Sequence, residues 1–420
     1  MNFFSTSIFS GISTIIKLLS GLVINKIVAV FIGPSGIAMV GQFQNFLSMA
    51  TTLGNGGISS GVTKYVAEYN EEKLLERNET ISVAIVITVI ISSIIGISIF
   101  FASNIFSLWI LNSEKYSFIF KIYGLCLIVI SINSLLLSII NGLKKIKIFI
   151  SINIISNLVM LLLTTILTIT FKIYGAFIAL VISQALIIFI TVPLMKRKVK
   201  INYSFKLVLK SKKYRKLFAF SIMTLVATFA GAGTQILIRN YITSEYSLEE
   251  AGYWQSVWML SNIYLTVLTT AFSTYYLPKL SELKSNDDLK IEILSGYKII
   301  IPFVFISSTI IFLFRDLIIV LVFAEEFLVI RTLILYQFIG NFFKMISWSI
   351  SFLMLAKAMT KTFIFTEIIF SISFYVFVIL FTRVYGLEGT TIAYAVNYFL
   401  YFLVMIFLFR KIFIPINTNK

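Results

Sequence analysis

The chain has 420 residues, 59% hydrophobic and 13% charged, with no histidine, one cysteine and a formal net charge of +17. A soluble domain is typically about 45–50% apolar and about 25% charged. At a mean hydropathy of +0.97, this chain carries more apolar surface than a water-facing fold could hide, so a bilayer must be its solvent. The missing histidines and the lone Cys126 exclude disulfides, His/Cys zinc sites and histidine acid–base chemistry, and no metal site is expected. The basic residues flank apolar segments, which points to a cytoplasmic face and not to nucleic acid.

Hydropathy predicts twelve spans, about 35 residues apart on average, enough for roughly 20–25 spanning residues and a short loop each. The first six cover residues 5–32, 36–62, 80–111, 117–141, 147–171 and 173–195. The second six cover 217–243, 251–277, 294–322, 328–356, 362–384 and 387–410. The first span is too long for a cleavable signal peptide and lacks a basic n-region and a cleavage site. Gly33-Pro34-Ser35-Gly36 predicts a turn after it, because proline flanked by glycines does not continue a helix. With both termini in the cytoplasm, most of the 35 Lys and Arg residues fall on the cytoplasmic side. The densest basic run joins the sixth and seventh spans. It predicts an N-terminal six-helix lobe (1–195), a basic cytoplasmic linker (196–216) and a C-terminal six-helix lobe (217–420). Such a linker can hold anionic lipid headgroups at about 1 kcal/mol per basic residue.

Polar residues within the spans form stripes at helical spacing. Thr6, Ser10, Ser13, Lys17 and Ser20 align on the first span, and Gln44, Asn45, Ser48, Thr52, Asn55 and Ser59 on the second. Gln255, Asn262, Thr266, Thr269 and Ser273 align on the eighth, and Gln337, Asn341, Lys344, Trp348 and Ser351 on the tenth. Such groups either bond across helix interfaces or line water. Four stripes in matching positions of two halves, two of them carrying a lysine, predict a central cationic cavity. Lys17 and Lys344 lie well inside spans, each at an insertion cost of about 2.5–3.5 kcal/mol. Lys26 sits nearer the outer end and can snorkel. Glu367 is the one carboxylate clearly within a span. A cavity of positive sign suits an anion, and lysine supplies a point charge for phosphate or diphosphate. Gly54, Gly56, Gly57 and Gly61, with Gly231 and Gly233, are the hinge candidates for two rocking lobes.

Several stretches carry a family resemblance: Ser13-Thr14 through Lys17 to Lys26, Gly33-Pro34-Ser35-Gly36, Gly61-Val62-Thr63-Lys64-Tyr65-Val66-Ala67, Ala251-Gly252-Tyr253-Trp254-Gln255, Tyr264-Leu265, Tyr276-Leu277-Pro278-Lys279-Leu280 and Ala356-Lys357-Ala358. Together, over nearly the whole chain, they resemble the Wzx-type O-antigen and enterobacterial-common-antigen flippases of the multidrug/oligosaccharidyl-lipid/polysaccharide exporter superfamily. The resemblance implies an all-α membrane protein of about twelve helices, in two lobes around the cationic cavity. It implies transport of an undecaprenyl-diphosphate-linked oligosaccharide from the cytoplasmic to the periplasmic leaflet of the bacterial inner membrane. Lys17, Lys26 and Lys64 match basic positions of the family's first two helices, and the stripes add Asn45, Gln255, Asn262 and Lys344 as substrate contacts. Membrane lipids, and a polymerase and chain-length proteins of the same lipopolysaccharide pathway, are the implied partners. No cofactor is implied. An aspartate is common in the family where this chain has Asn262 and another where it has Asn341, so coupling to H+ or Na+ would run differently or through Glu367.

Two other functions stay open from the residues. A drug/cation antiporter of the same superfamily would place carboxylates where this chain has lysines. A polysaccharide polymerase or lipid-linked glycosyltransferase would need catalytic acids or arginines on sizeable outer loops, and the outer loops here are short. A transporter is expected, not an enzyme.

Overall fold

The computed structural model describes residues 3–69, 73–198, 214–283, 285–357 and 359–413. Most of the expected basic linker, residues 199–213, lies outside them. Every regular element among the described residues is helical, as lipid requires of a chain that must satisfy each backbone group internally. The chain forms two compact units, Met1–Ile236 and Leu237–Lys420. The first contains α1 (Phe3–Gly54), α2 (Ser59–Glu68), α3 (Leu74–Phe101), α4 (Ser103–Leu111), α5 (Ser117–Gly142), α6 (Ile146–Leu186), α7 (Ile188–Lys198) and α8 (Tyr214–Thr228). After α9 (Thr234–Glu245), in which the boundary falls, the second contains α10 (Leu248–Ala271), α11 (Leu277–Glu282), α12 (Asn286–Leu313), α13 (Arg315–Val322), α14 (Ile334–Ala356), α15 (Thr360–Tyr385) and α16 (Glu388–Leu408).

Nine helices among the described residues are long and apolar enough to cross a membrane, making this a multi-pass membrane protein. Two of these stretches, Gly11–Gly54 with 44 residues and Ile146–Lys196 with 51, would run beyond about 60 Å if straight, twice a hydrocarbon core of about 30 Å. Each contains one residue of non-helical backbone. Gly33 leaves the helix at φ 76, ψ −170, a conformation that costs glycine little because it has no Cβ. Pro34 then opens the next segment, where its missing N–H is not needed. Lys172 makes the other break at φ 52, ψ −131. Both interruptions fall at the expected span boundaries.

Elsewhere the helices are more divided than hydropathy suggests. The second span, expected to run to residue 62, stops at Gly54. Gly56 and Gly57 both have φ 66, and the Asn55 side-chain oxygen accepts from the Gly57 N–H at 3.0 Å, so Ser59 opens a new helix. Widened turns occupy Phe229–Gly233 and Phe272–Tyr276, and the third and ninth spans are each interrupted, at Ala102 and Phe314.

Packing within each unit follows from small residues set against large ones. In the first, α3 and α5 approach so closely at Gly96 and Gly124 that a Cβ on either would meet the other's carbonyl oxygen, at 2.5 and 2.6 Å. Contact of this kind replaces the hydrophobic drive that lipid does not supply. A ring cluster of Phe43, Phe46, Phe120, Tyr123 and Phe177 fills the space between α1, α5 and α6. In the second unit α14 is the enclosed helix, with 67% of its apolar window buried against 11% for α12. Its Gly340 lies against the Tyr394 ring of α16. The outer faces present bare apolar side chains such as Phe101, Ile299, Leu321 and Val384, which is the surface a lipid solvent selects.

Candidate functional site

Four of the stripe hydroxyls are satisfied by their own helix. Thr52 donates to the Ser48 carbonyl at 2.8 Å, Thr266 to the Asn262 carbonyl at 2.6 Å, Thr269 to the Thr266 carbonyl at 3.1 Å and Ser351 to the Trp348 carbonyl at 3.3 Å. A hydroxyl that bonds back one turn needs neither water nor a partner helix, so these residues by themselves do not mark a cavity. The amides and cations remain informative, because no such local bond can neutralise a charge or satisfy a whole amide.

The tenth-span stripe turns inward within the second unit. Gln337 and Asn341 are fully enclosed and Lys344 is 8% exposed. Asn341 donates to the Ser261 hydroxyl at 2.9 Å and the Tyr264 hydroxyl at 2.8 Å, and its oxygen accepts from the Tyr394 hydroxyl at 3.0 Å. Ser308 donates to the same Tyr264 oxygen at 3.1 Å. Lys344 projects among four rings, with Nζ at 4.7 Å from the Trp348 centroid, 5.2 Å from Trp258, 5.3 Å from Tyr398 and 5.8 Å from Tyr394. Ring faces stabilise a desolvated ammonium by roughly 2 kcal/mol in good cases, and Glu367 on α15 acts on the same charge electrostatically. Gln255 is also buried, and its oxygen accepts from the guanidinium of Arg239, which itself lies over the Trp254 ring at 5.5 Å. Sequence reading passed over Arg239, 1% exposed, although an arginine in the apolar stretch Ser221–Glu245 was a legible signal.

The first unit arranges its cations differently. Lys17, midway between the start of α1 and its break at Gly33, is exposed. Lys26 is half-buried on the same segment, and Lys64 is exposed on α2, its Nζ 5.5 Å from the Tyr65 centroid. Asn45 donates to the Gln235 side chain at 3.1 Å. Gln44, Ser48, Thr52 and Asn55 line an open polar cleft of about 290 Å³. In the second unit, Asn262 is exposed. The predicted site residues therefore divide by environment. Lys17, Lys64 and Asn262 are exposed, Lys26 and Asn45 are half-buried, and Gln255 and Lys344 are built into the interior of the second unit.

The helical architecture has solved counterparts. A multidrug resistance MATE family transporter of the MOP superfamily in an inward-facing conformation superposes with a TM-score of 0.76 at 15% identity, covering 96% of both chains. The lipid II flippase MurJ in an inward closed conformation superposes with a TM-score of 0.72 at 20% identity, covering 97% of this chain and 90% of that one. At the level of sequence, the chain is 27% identical over 404 residues to the lipid III flippase of Escherichia coli (strain K12), covering 96% of this chain and 97% of the relative, and the Shigella flexneri lipid III flippase matches equally. Residues 4–284 match the family described as polysaccharide biosynthesis protein. With a match over more than half its length, a multi-pass helical fold and cations set within its spans, the chain belongs to the polysaccharide biosynthesis protein family.

Proposed function

We propose that this protein is a flippase that carries a diphosphate-linked glycan lipid from the cytoplasmic to the periplasmic leaflet of the bacterial inner membrane by alternating access. In this reading it has about twelve spans, since the stretches broken at Gly33 and Lys172 each cross twice and α10 adds a crossing. Both termini are cytoplasmic. The protein is a transporter without catalytic chemistry, and a polymerase and chain-length proteins act after it. The likeness to the lipid III flippases along nearly the whole chain supports the substrate class. The single observation that carries the reading is Lys17: an exposed ammonium halfway along an apolar helix needs water or an anion beside it.

Lys17, Lys26 and Lys64 are assigned to the diphosphate, and Asn45 and Asn262 are assigned to substrate binding as well. Gln255 and Lys344, enclosed by their own unit, act as its internal polar frame, and coupling to H+ or Na+ is assigned to Glu367. The test is complementation of a strain lacking its own flippase, scored by surface glycan, with membrane abundance measured in parallel. Lys17→Arg should support surface glycan, whereas Lys17→Gln should abolish it at unchanged abundance. Full complementation by Lys17→Gln would remove the assignment.

A further inference from the structure

Two adjoining clefts lie wholly within the first unit. One, of about 290 Å³, is lined from α1 and its C-terminal turn, α5 and the second half of α6, and the other, of about 360 Å³, from α1, α5 and both halves of α6. They share Thr51, Ser134 and Gln184, so together they form one continuous depression in the size range of small-molecule sites. Five amide side chains line it: Gln44, Asn55, Asn133, Asn157 and Gln184. Among the described residues, no lysine, arginine, aspartate or glutamate does. Several of these groups are held in place by the protein. Asn55 donates to Ser134 at 3.4 Å, Gln184 to the Leu180 carbonyl at 3.0 Å, and Ser183 to the Met160 sulfur at 2.9 Å. Asn133 differs. It is 8% exposed, and its side-chain oxygen is buried with no hydrogen-bond partner.

A buried acceptor without a donor calls for one. The diphosphate diester that joins lipid to glycan offers oxygens and no donor at neutral pH, so the Asn133 oxygen repels it. A cation would find no carboxylate here. Sugar hydroxyls both donate and accept, as amides do, and the C–H faces of a sugar ring suit the apolar lining from Leu47, Leu137, Met160 and Ile187. We propose that this neutral cleft of the first unit is a sugar-binding subsite, in which Asn133 accepts from a hydroxyl of an uncharged sugar and Gln184 and Asn157 fix the ring. The proposal rests on the flippase reading and deepens it: the lysines take the diphosphate, and the amide cleft takes the glycan.

The experiment uses the full-length protein in lipid nanodiscs and two probes, bare undecaprenyl diphosphate and the same lipid bearing one neutral hexose. Asn133→Leu should weaken binding of the hexose-bearing lipid five- to tenfold and change binding of the bare lipid by less than twofold. Asn157→Leu and Gln184→Leu, at half-buried positions, should show the same selectivity and keep the test decisive if Asn133→Leu does not accumulate. Equal losses for both lipids, or none for either, would overturn the subsite while leaving the flippase reading standing. Failure of the unaltered protein to bind either lipid would instead remove the flippase reading. The cleft is then judged by methyl glucoside, which should slow thiol labelling of Ser134→Cys in a Cys126→Ser background. Absence of that protection overturns the subsite on its own.

Discussion

Replacing Trp348 by leucine takes away the ring nearest to the Lys344 ammonium, 4.7 Å from its centroid, and leaves Trp258, Tyr394 and Tyr398 around a lysine that is 8% exposed before the change. The loss has two parts. Shrinking a half-buried tryptophan to leucine forfeits packing worth about 1–2 kcal/mol, below the full cost of truncation to alanine. Removing one face of a desolvated cation adds about 1–2 kcal/mol. Lys344→Met behaves differently, since it gives up the ring contacts but also the burden of burying a charge. Replacing a whole buried ion pair is often neutral, but removing one partner leaves the other uncompensated, and Glu367 stays behind, so the net effect of Lys344→Met should be a loss of up to about 3–5 kcal/mol. In the Lys344→Met background, Trp348→Leu should then cost only its packing part. The double-mutant cycle should return a coupling of about 1–2 kcal/mol, and Glu367 is present in all four proteins. Equilibrium unfolding in mixed SDS–detergent micelles, followed by far-UV circular dichroism, measures each corner. A coupling within about 0.3 kcal/mol of zero, the additivity expected of independent sites, would show that the rings do not hold the charge.

Other consequences follow from the same packing. Gly96→Ala forces a methyl against the Gly124 carbonyl oxygen and should destabilise by about 1–3 kcal/mol, whereas Gly21→Ala, with nothing within 4 Å of the added carbon, should be neutral or stabilise by up to about 1 kcal/mol; thermal unfolding in detergent separates the two. Asn341→Leu removes the acceptor of the Tyr394 hydroxyl and a donor to Ser261 and Tyr264, which keep their bonds to the Val257 carbonyl and from Ser308, and should cost about 1–3 kcal/mol, read in the same SDS titration. An effect below about 0.5 kcal/mol would mean that those hydroxyls find other partners.

The polar stripes show how far a one-dimensional reading reaches. Helical spacing places Gln337, Asn341 and Lys344 on one face, and they do share one, because 100° per residue is a property of the helix alone. Which way that face points is not. Lys17 and Lys344 look alike in sequence, each a lone lysine within a polar stripe, yet one is exposed and the other sits in a ring cage. The rings come from α10, α14 and α16, and only packing brings those helices together. Ser and Thr misled for a different reason: their bonds to the preceding turn satisfy them at no tertiary expense.

The sequence by itself determined that this is a helical membrane protein, and where its helices turn back. In lipid every backbone group must be satisfied within its own helix, so runs of apolar residues place the spans and their boundaries at Gly33 and Lys172, but not the interruptions after Gly54, at Ala102 and at Phe314. Only the tertiary structure decided what the intramembrane polar groups face. Asn55 follows the end of α1, Asn133 lies on α5, and Asn157 and Gln184 lie on the two halves of α6. They form a cleft because α1, α5 and the two halves of α6 pack side by side. That packing depends on small residues meeting at particular depths, as Gly96 and Gly124 do between α3 and α5, and pairing of this kind joins residues far apart in the chain, with no periodicity to announce it.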